Sequence, residues 1–376
     1  MSKSNPLLRL RELGQSVWLD YIRRDLFEGE LERLIEEDGL AGMTSNPTIF
    51  DGAIGDTDLY DDVIRESGPD MEPDEIFEKL AVADVQQAAD HFRPLFDRTE
   101  GRDGFVSIEV RPSLANDTKG TIEEVRRLWT SCDRPNVMVK IPGTRDGLPA
   151  IRQCLFEGIN INITLLFSVE RYLEVMDAWF DAFRDRIAAG EPVDRLSSVA
   201  SFFVSRVDTK VDERLESLLE NAGGQEAQRI RGLLGRAGIA NAKIAYERFE
   251  ERFRSAGFAG LEERGVRLQR PLWASTSTKN PEYPDTYYVD NLVAPDTVNT
   301  LPPDTLDAFR DHGDPKVRIF DGRDEAHRVL DALGDLGIDF GDVTRELEEE
   351  GVQKFGKSYD DLLETIREER ARVATA

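Results

Sequence analysis

The chain has 376 residues, with 48 Lys and Arg against 74 Asp and Glu, which gives a formal net charge of −26 and a sequence pI near 4.6. That balance excludes a nucleic-acid binder working through a basic face. The length suits two or three ordinary domains or one α/β barrel, and 40% apolar with 32% charged residues describes a soluble globular chain, neither disordered nor membrane-embedded.

The opening segment, MSKSNPLLRLRELGQS, has no apolar run of signal-peptide length, and no segment approaches the roughly 18 apolar residues of a bilayer span. The expected compartment is the cytoplasm. Cys132 and Cys154 lack the neighbours of a metal site and are expected to be free, buried thiols. Histidine-centred catalysis has only His91, His312 and His327 to draw on. Ten of the basic residues are lysine, so 48 − 10 leaves 38 arginines. Scarce lysine with abundant carboxylate fits a host with a salty cytoplasm, where self-repulsion is screened, or an ordinary acidic, arginine-rich cytosolic enzyme.

In chain order, eight short apolar runs read as strands: residues 16–20, 40–44, 105–110, 136–141, 161–167, 198–204, 271–275 and, most weakly, 296–301. Between them, residues 26–39, 75–96, 121–132, 169–189 and 225–256 carry apolar positions three or four apart and read as amphipathic helices. Gly39, Gly190 and Gly257 stand where such helices stop. Residues from Asp339 onward read as one or two further helices. Strands alternating with helices predict an α/β fold with a parallel sheet. No glycine-rich phosphate turn follows the first strand, as an open nucleotide-binding sheet would require. The expectation is therefore one closed (β/α)8 barrel domain over 1–376, without a nucleotide. Residues 1–15 form an N-terminal helix and 339–376 C-terminal helices in this reading.

In such a barrel, polar residues at the C-terminal strand ends are the catalytic candidates. Lys140 stands within Asn-Val-Met-Val-Lys-Ile, where no other lysine occupies an apolar strand-like run. Burial disfavours the ammonium form, and a neutral amine is the nucleophile that attacks a carbonyl to make a Schiff base. The structural alternative is a lysine that snorkels to solvent or pairs with an acid. Glu109 closes the third strand and Asp20 the first. Burying an unpaired carboxylate is costly, and a lysine with two carboxylates suffices for the proton transfers of imine chemistry. Either acid could instead bridge an arginine at the rim.

Asn162 and Thr164 share one face of the fifth strand, and Asn46 follows the second. Their amides and hydroxyl could hold a polyhydroxylated substrate or, especially at Asn46, cap a turn. Ser201 and Arg206, around the end of the sixth strand, offer a hydroxyl and a guanidinium suited to a phosphate.

The segments SVWLDYIRRDL, GMTSNPTIF, SIEVRP, NVMVKIPGT, INITLLFS, SFFVSRVDTKVD, LWASTSTKNP and DTVNTLPP, in this order, resemble the transaldolases of the longer bacterial type. The resemblance spans roughly residues 16 to 303 and implies a (β/α)8 barrel that moves a dihydroxyacetone unit between sugar phosphates. It implies that Lys140 is the Schiff-base lysine and that Asp20 takes the proton from the C4 hydroxyl as the C3–C4 bond breaks. Glu109 would act with an ordered water in forming and breaking the carbinolamine. Asn46, Asn162 and Thr164 match residues that hold the dihydroxyacetone hydroxyls or that water, and Ser201 with Arg206 match the phosphate site.

No cofactor or metal is implied, and the implied partners are sugar phosphates, with no nucleic acid and no membrane, bound by a monomer or a homodimer. Phe203 stands where smaller relatives that release or use free dihydroxyacetone carry a tyrosine, which favours transfer. The shorter family members have a second phosphate-binding arginine after the seventh strand. Here the stretch Ala274-Ser275-Thr276-Ser277-Thr278-Lys279 offers only Lys279, at a shifted position, as a point charge or a solvated loop residue. The alternatives left are a class I aldolase that liberates the three-carbon unit and a non-catalytic barrel. A negative chain that binds anionic sugars should carry its acids on the outer helices and keep the barrel mouth locally positive.

Overall fold

The computed structural model describes residues 5–68 and 70–374. Eight strands, β1 (Gln15–Asp20), β2 (Gly42–Thr44), β3 (Phe105–Glu109), β4 (Val137–Pro142), β5 (Ile161–Leu166), β6 (Ser198–Phe203), β7 (Arg270–Ala274) and β8 (Thr297–Leu301), form one closed barrel in chain order. Each is parallel to the next, and β8 pairs with β1 through the register Val17 to Asn299. The strands are buried on both faces over most of their length, which is why they read as short, mainly apolar runs. Trp18, Phe105 and Trp273 are among the largest fully buried side chains. At the N-terminal end of the barrel, buried Arg270 donates to Ser16 Oγ at 2.8 Å and pairs with Asp103 at 3.1 Å, so the charge there is locked into structure. Cys132 and Cys154 are free and buried, and burial pushes both thiols up to about 12.

The helices depart from expectation where backbone chemistry interrupts an apolar stripe. Gly39 and Gly190 take left-handed conformations just past their helices, as expected, with φ of 71° and 76°. Residues 26–39 form a 3₁₀ turn (Arg24–Glu28) and a helix (Glu30–Glu37), separated by Gly29 at φ 114°. The stretch 225–256 is divided into Gly224–Arg231 and Ala237–Phe253. At the break, Gly235 adopts φ 70° and donates to Asp212 Oδ1 at 2.9 Å, while a Cβ there would strike the Tyr283 ring at 2.5 Å. Gly257 does not stop a helix but lies inside Ala256–Glu262, because Ser255 caps that new helix by accepting from Phe258 N.

The N-terminal helix is Pro6–Glu12, residues 1–4 lying outside the described ones, and Gln15 already belongs to β1. The segment after Asp339 is a single helix, Phe340–Val373, capped by the Asp339 side chain. It crosses the C-terminal end of the barrel. Thr365 Oγ1 on it donates to Asp51 at 2.6 Å and Tyr359 meets Phe77 edge-on at 5.6 Å. Leu362 and Ile366 are fully buried beneath it, each worth about 2 kcal/mol on burial.

Candidate active site

Lys140 and Glu109 face each other across β4 and β3 in direct register, so period-two alternation points both side chains the same way. They form an ion pair in which each side chain is only 9% exposed. Lys140 Nζ also donates to the Ser45 carbonyl at 3.2 Å, which fixes it toward β2. Burial pushes the Glu109 carboxyl above the ordinary glutamate range, with Lys140 opposing and the Asp20 charge adding to the rise. Its Oε2 has no partner among the described residues, and Glu109 lines a cavity of about 30 Å³ that also touches Ser45, Asn46, Arg111 and Tyr359, room enough for a water.

Asp20 ends β1 in register with Thr44, whose hydroxyl lies 2.7 Å from Asp20 Oδ1 and 2.9 Å from the Thr300 hydroxyl. The residue reading missed Thr44 and Thr300. Both stand at inward positions near strand ends, and the one signal was their alternation in LAGMT and DTVNTL.

Asn162 is in register with Lys140 on β5. Its amide donates to Ser107 Oγ at 3.1 Å and accepts from Ser201 Oγ at 2.7 Å, so Asn162 and Ser201 belong to one hydrogen-bonded layer with Ser107 between β3 and β6. Thr164 is buried one pleat further on. There the β5–β6 register slips between Ile163 and Leu166 and Leu165 takes φ 61°, a bulge that ends the alternation the sequence displayed. Asn46 caps the helix Pro47–Gly55 by accepting from Ile49 N at 3.0 Å, so the turn reading of its side-chain oxygen holds. Its position next to Ser45 still sets it at the cavity beside Glu109.

Arg206, in the first turn of the helix Ser205–Leu219, lies over the Phe203 ring at 5.1 Å, and that ring packs on Phe167 at 5.1 Å. Desolvation holds the guanidinium below its ordinary value, with Asp20 opposing. Arg206 has no ion pair among the described residues. Lys279 is exposed in the loop after β7 and donates to Ser277 Oγ at 2.8 Å. Desolvation in the mouth, then Arg206 and Lys354, push its ammonium below the lysine range, while Asp20 opposes. Arg206, Lys279 and Asp20 therefore share one electrostatic environment.

The arrangement supplies an amine nucleophile beside an acid–base group, a second carboxylate across the mouth and a polar floor. The sequence model of the transaldolase/fructose-6-phosphate aldolase family matches residues 17–366. A transaldolase of Acidothermus cellulolyticus is 49% identical over 98% of this chain and 100% of its own length. One from Saccharopolyspora erythraea is 47% identical over 98% and 99%, and one from Trichodesmium erythraeum 42% identical over 97% of each. No helix among the described residues is long and apolar enough to cross a membrane. The chain belongs to the transaldolase/fructose-6-phosphate aldolase family.

Proposed function

We propose that this chain is a transferase that carries a dihydroxyacetone unit from sedoheptulose 7-phosphate to glyceraldehyde 3-phosphate, giving erythrose 4-phosphate and fructose 6-phosphate in the cytoplasm. The observation that carries the reading is the buried Lys140–Glu109 pair at the C-terminal end of the barrel, in a chain whose relatives over its full length are transaldolases.

The ion pair stores the amine as an ammonium until Glu109 accepts its proton, and the raised carboxyl makes Glu109 a fitting acceptor. The free amine of Lys140 attacks C2 of the ketose. Glu109 returns a proton, through a water, to the departing C2 hydroxyl, and Thr164 holds that water. The resulting iminium draws the electron pair of the C3–C4 bond to C2 and nitrogen as Asp20 takes the proton from the C4 hydroxyl. Erythrose 4-phosphate leaves, and a neutral enamine remains on Lys140. The incoming aldehyde is attacked by C3 of the enamine while Asp20 returns its proton to the new alkoxide. Water, deprotonated by Glu109, then adds to C2 of the regenerated iminium, so that the C2–N bond breaks and fructose 6-phosphate and the Lys140 amine are set free. Asn46 and Asn162 hold the dihydroxyacetone hydroxyls. Ser201, whose hydroxyl donates to Asn162 Oδ1 at 2.7 Å, belongs with that end and not with the phosphate, so Arg206 and Lys279 hold the phosphate end.

An aldolase would protonate the enamine and release dihydroxyacetone. Phe203 packs as a plain phenyl ring between Phe167 and Arg206, so its position provides no hydroxyl for that protonation. Incubation with fructose 6-phosphate, with and without erythrose 4-phosphate, tests the proposal. Sedoheptulose 7-phosphate should form only with the aldose. Free dihydroxyacetone formed at the same rate without it would establish the aldolase instead.

A further inference from the structure

Four residues before Lys354 on the C-terminal helix stands Glu350, its natural helix partner, yet Glu350 bonds Lys210 at 2.5 Å. Lys357, one turn away, pairs with Asp361 at 2.5 Å. Lys354 itself has no ion pair among the described residues and is exposed. In a chain of net charge −26, a lysine on an acidic helix left without an acid needs a reason.

The helix face provides one. Gly351 lies against the end of β5, where an added Cβ would come within 3.3 Å of Leu165 and 3.4 Å of Phe167. Ser358 meets Thr48, two residues after Asn46 beyond β2, with hydroxyls 3.0 Å apart. Residues 351, 354 and 358 are spaced by three and four, so they share the face turned to the barrel. One end of that face rests on β5 and the other beyond β2, and Lys354 stands between them over the mouth. Gly351 lets the helix sit this low. From Phe167 the contacts run to Phe203 and on to Arg206.

We propose that Lys354 is a third cation of the phosphate end of the site, acting with Arg206 and Lys279 as a specificity-determining residue for phosphorylated sugars. The proposal rests on the function given above. Like charges gathered without an anion repel one another, and Lys279 registers that repulsion from both Arg206 and Lys354, with Asp20 the one opposing acid. A phosphate dianion offers three acceptor oxygens and about two negative charges, which three separate donors can match. The missing second arginine of the shorter relatives is then replaced by two lysines, one from a loop and one from the roof helix.

The test compares Lys354→Gln, Lys354→Arg and the charge-matched control Lys357→Gln. For Lys354→Gln, KM for fructose 6-phosphate should rise about tenfold, the size of one lost charge-assisted contact, with kcat within about threefold. Inhibition by inorganic phosphate should weaken by a similar factor. Lys354→Arg should restore most of both, and Lys357→Gln should change neither. An unchanged KM and phosphate inhibition in Lys354→Gln, or an equal effect in Lys357→Gln, overturns the proposal. Should the unmodified enzyme transfer nothing, the functional reading fails separately. Calorimetric binding of inorganic phosphate then still decides Lys354, by a weaker Kd in Lys354→Gln or an unchanged one.

Discussion

Glu109 stands in register with Lys140 on the neighbouring strand and closes an ion pair with it inside the barrel, while its second oxygen has no partner among the described residues. One carboxyl oxygen thus addresses the Lys140 amine and the other is open to a water. In Glu109→Gln the amide can neither take the ammonium proton nor return it to the C2 hydroxyl. The expected result is a fall of about 10²–10⁴ in the rate at which a borohydride-trappable adduct forms from fructose 6-phosphate, the usual weight of one general acid–base. Lys140→Ala should give no adduct. Rapid adduct formation in Glu109→Gln with slow turnover would move its role to a later step.

Asp20 is held by the Thr44 hydroxyl at 2.7 Å, while Lys140 and Glu109 bond each other. The separate roles proposed for them predict a separable defect. Asp20→Asn should still accumulate the trapped adduct with fructose 6-phosphate, while turnover drops about 10²–10⁴-fold because nothing accepts the C4 hydroxyl proton. Quenched-flow trapping beside steady-state rates checks this. Thr44→Val should lower kcat more mildly, since it removes only the bond that aims the carboxylate.

The strands were legible because each is a short apolar run closed by turn residues, and the proposed catalytic trio because ionisable residues in such runs defy burial. Lys140, Glu109 and Asp20 each break an apolar pattern at the strand end where barrel chemistry occurs. The helix Gly147–Phe156 was not legible: its first turn holds Gly147 and Pro149, which read as loop. The helix Ser205–Leu219 begins inside SFFVSRVDTKVD, which is read in the sequence for its phosphate-suited Ser201 and Arg206 and not for a helix. Lys354 was not legible either, since on its own helix it is one more exposed lysine, and only the crossing of Phe340–Val373 over the mouth gives it a partner site. The Thr44–Thr300 contact joins residues 256 apart in sequence, beyond the reach of any local pattern.

Burial pushes Asp208 up to about 7, with the bond from Gly238 N opposing and Asp212 adding to the rise. In the unfolded chain the same group titrates near 3.9. Between about pH 4 and pH 7 the folded state therefore holds a proton that the unfolded state has lost. Its contribution is fully present below about pH 4 and lost as pH rises to about 7, at up to about 1.4 kcal/mol per pH unit. Asp208→Asn removes the titration and can keep the 2.7 Å bond from Gly238 N. Urea unfolding at pH 5, 6, 7 and 8 should show the variant gaining on the parent up to about pH 7 and a constant difference above it. A constant difference throughout would show that Asp208 is ionised at pH 5 in the fold.

Phe203 offers a test of what separates transfer from release. Its ring is held by Phe167 and Arg206, each at 5.1 Å, contacts that the ring of a tyrosine can also make. Phe203→Tyr should bring a proton donor to the enamine and produce dihydroxyacetone from fructose 6-phosphate without an aldose, at least about tenfold faster than the parent. Thermal stability should change little. If the variant releases no dihydroxyacetone while turnover with erythrose 4-phosphate persists, the enamine is protected by geometry and not by the missing hydroxyl.

The net charge of −26 sets two salt effects against each other. Exposed pairs such as Arg367–Glu364, with side chains 49% and 62% exposed, contribute under about 1 kcal/mol each and weaken as salt screens them. Repulsion among the unbalanced acids weakens as well, since the Debye length falls from about 10 Å at 0.1 M to about 3 Å at 1 M. The buried pairs Lys140–Glu109 and Arg270–Asp103 are shielded from ions and keep their strength. Carboxylates outnumber cations by 74 − 48 = 26, so even a complete pairing leaves the repulsive term standing. Tm should therefore rise by several degrees between about 0.05 M and 1 M KCl. Replacing exposed Glu349, Asp360 and Glu368 by glutamine or asparagine should raise Tm at low salt and shrink the rise. A Tm that falls with KCl would mean that the surface pairs outweigh the repulsion, and the acidity would then carry no adaptation to salt.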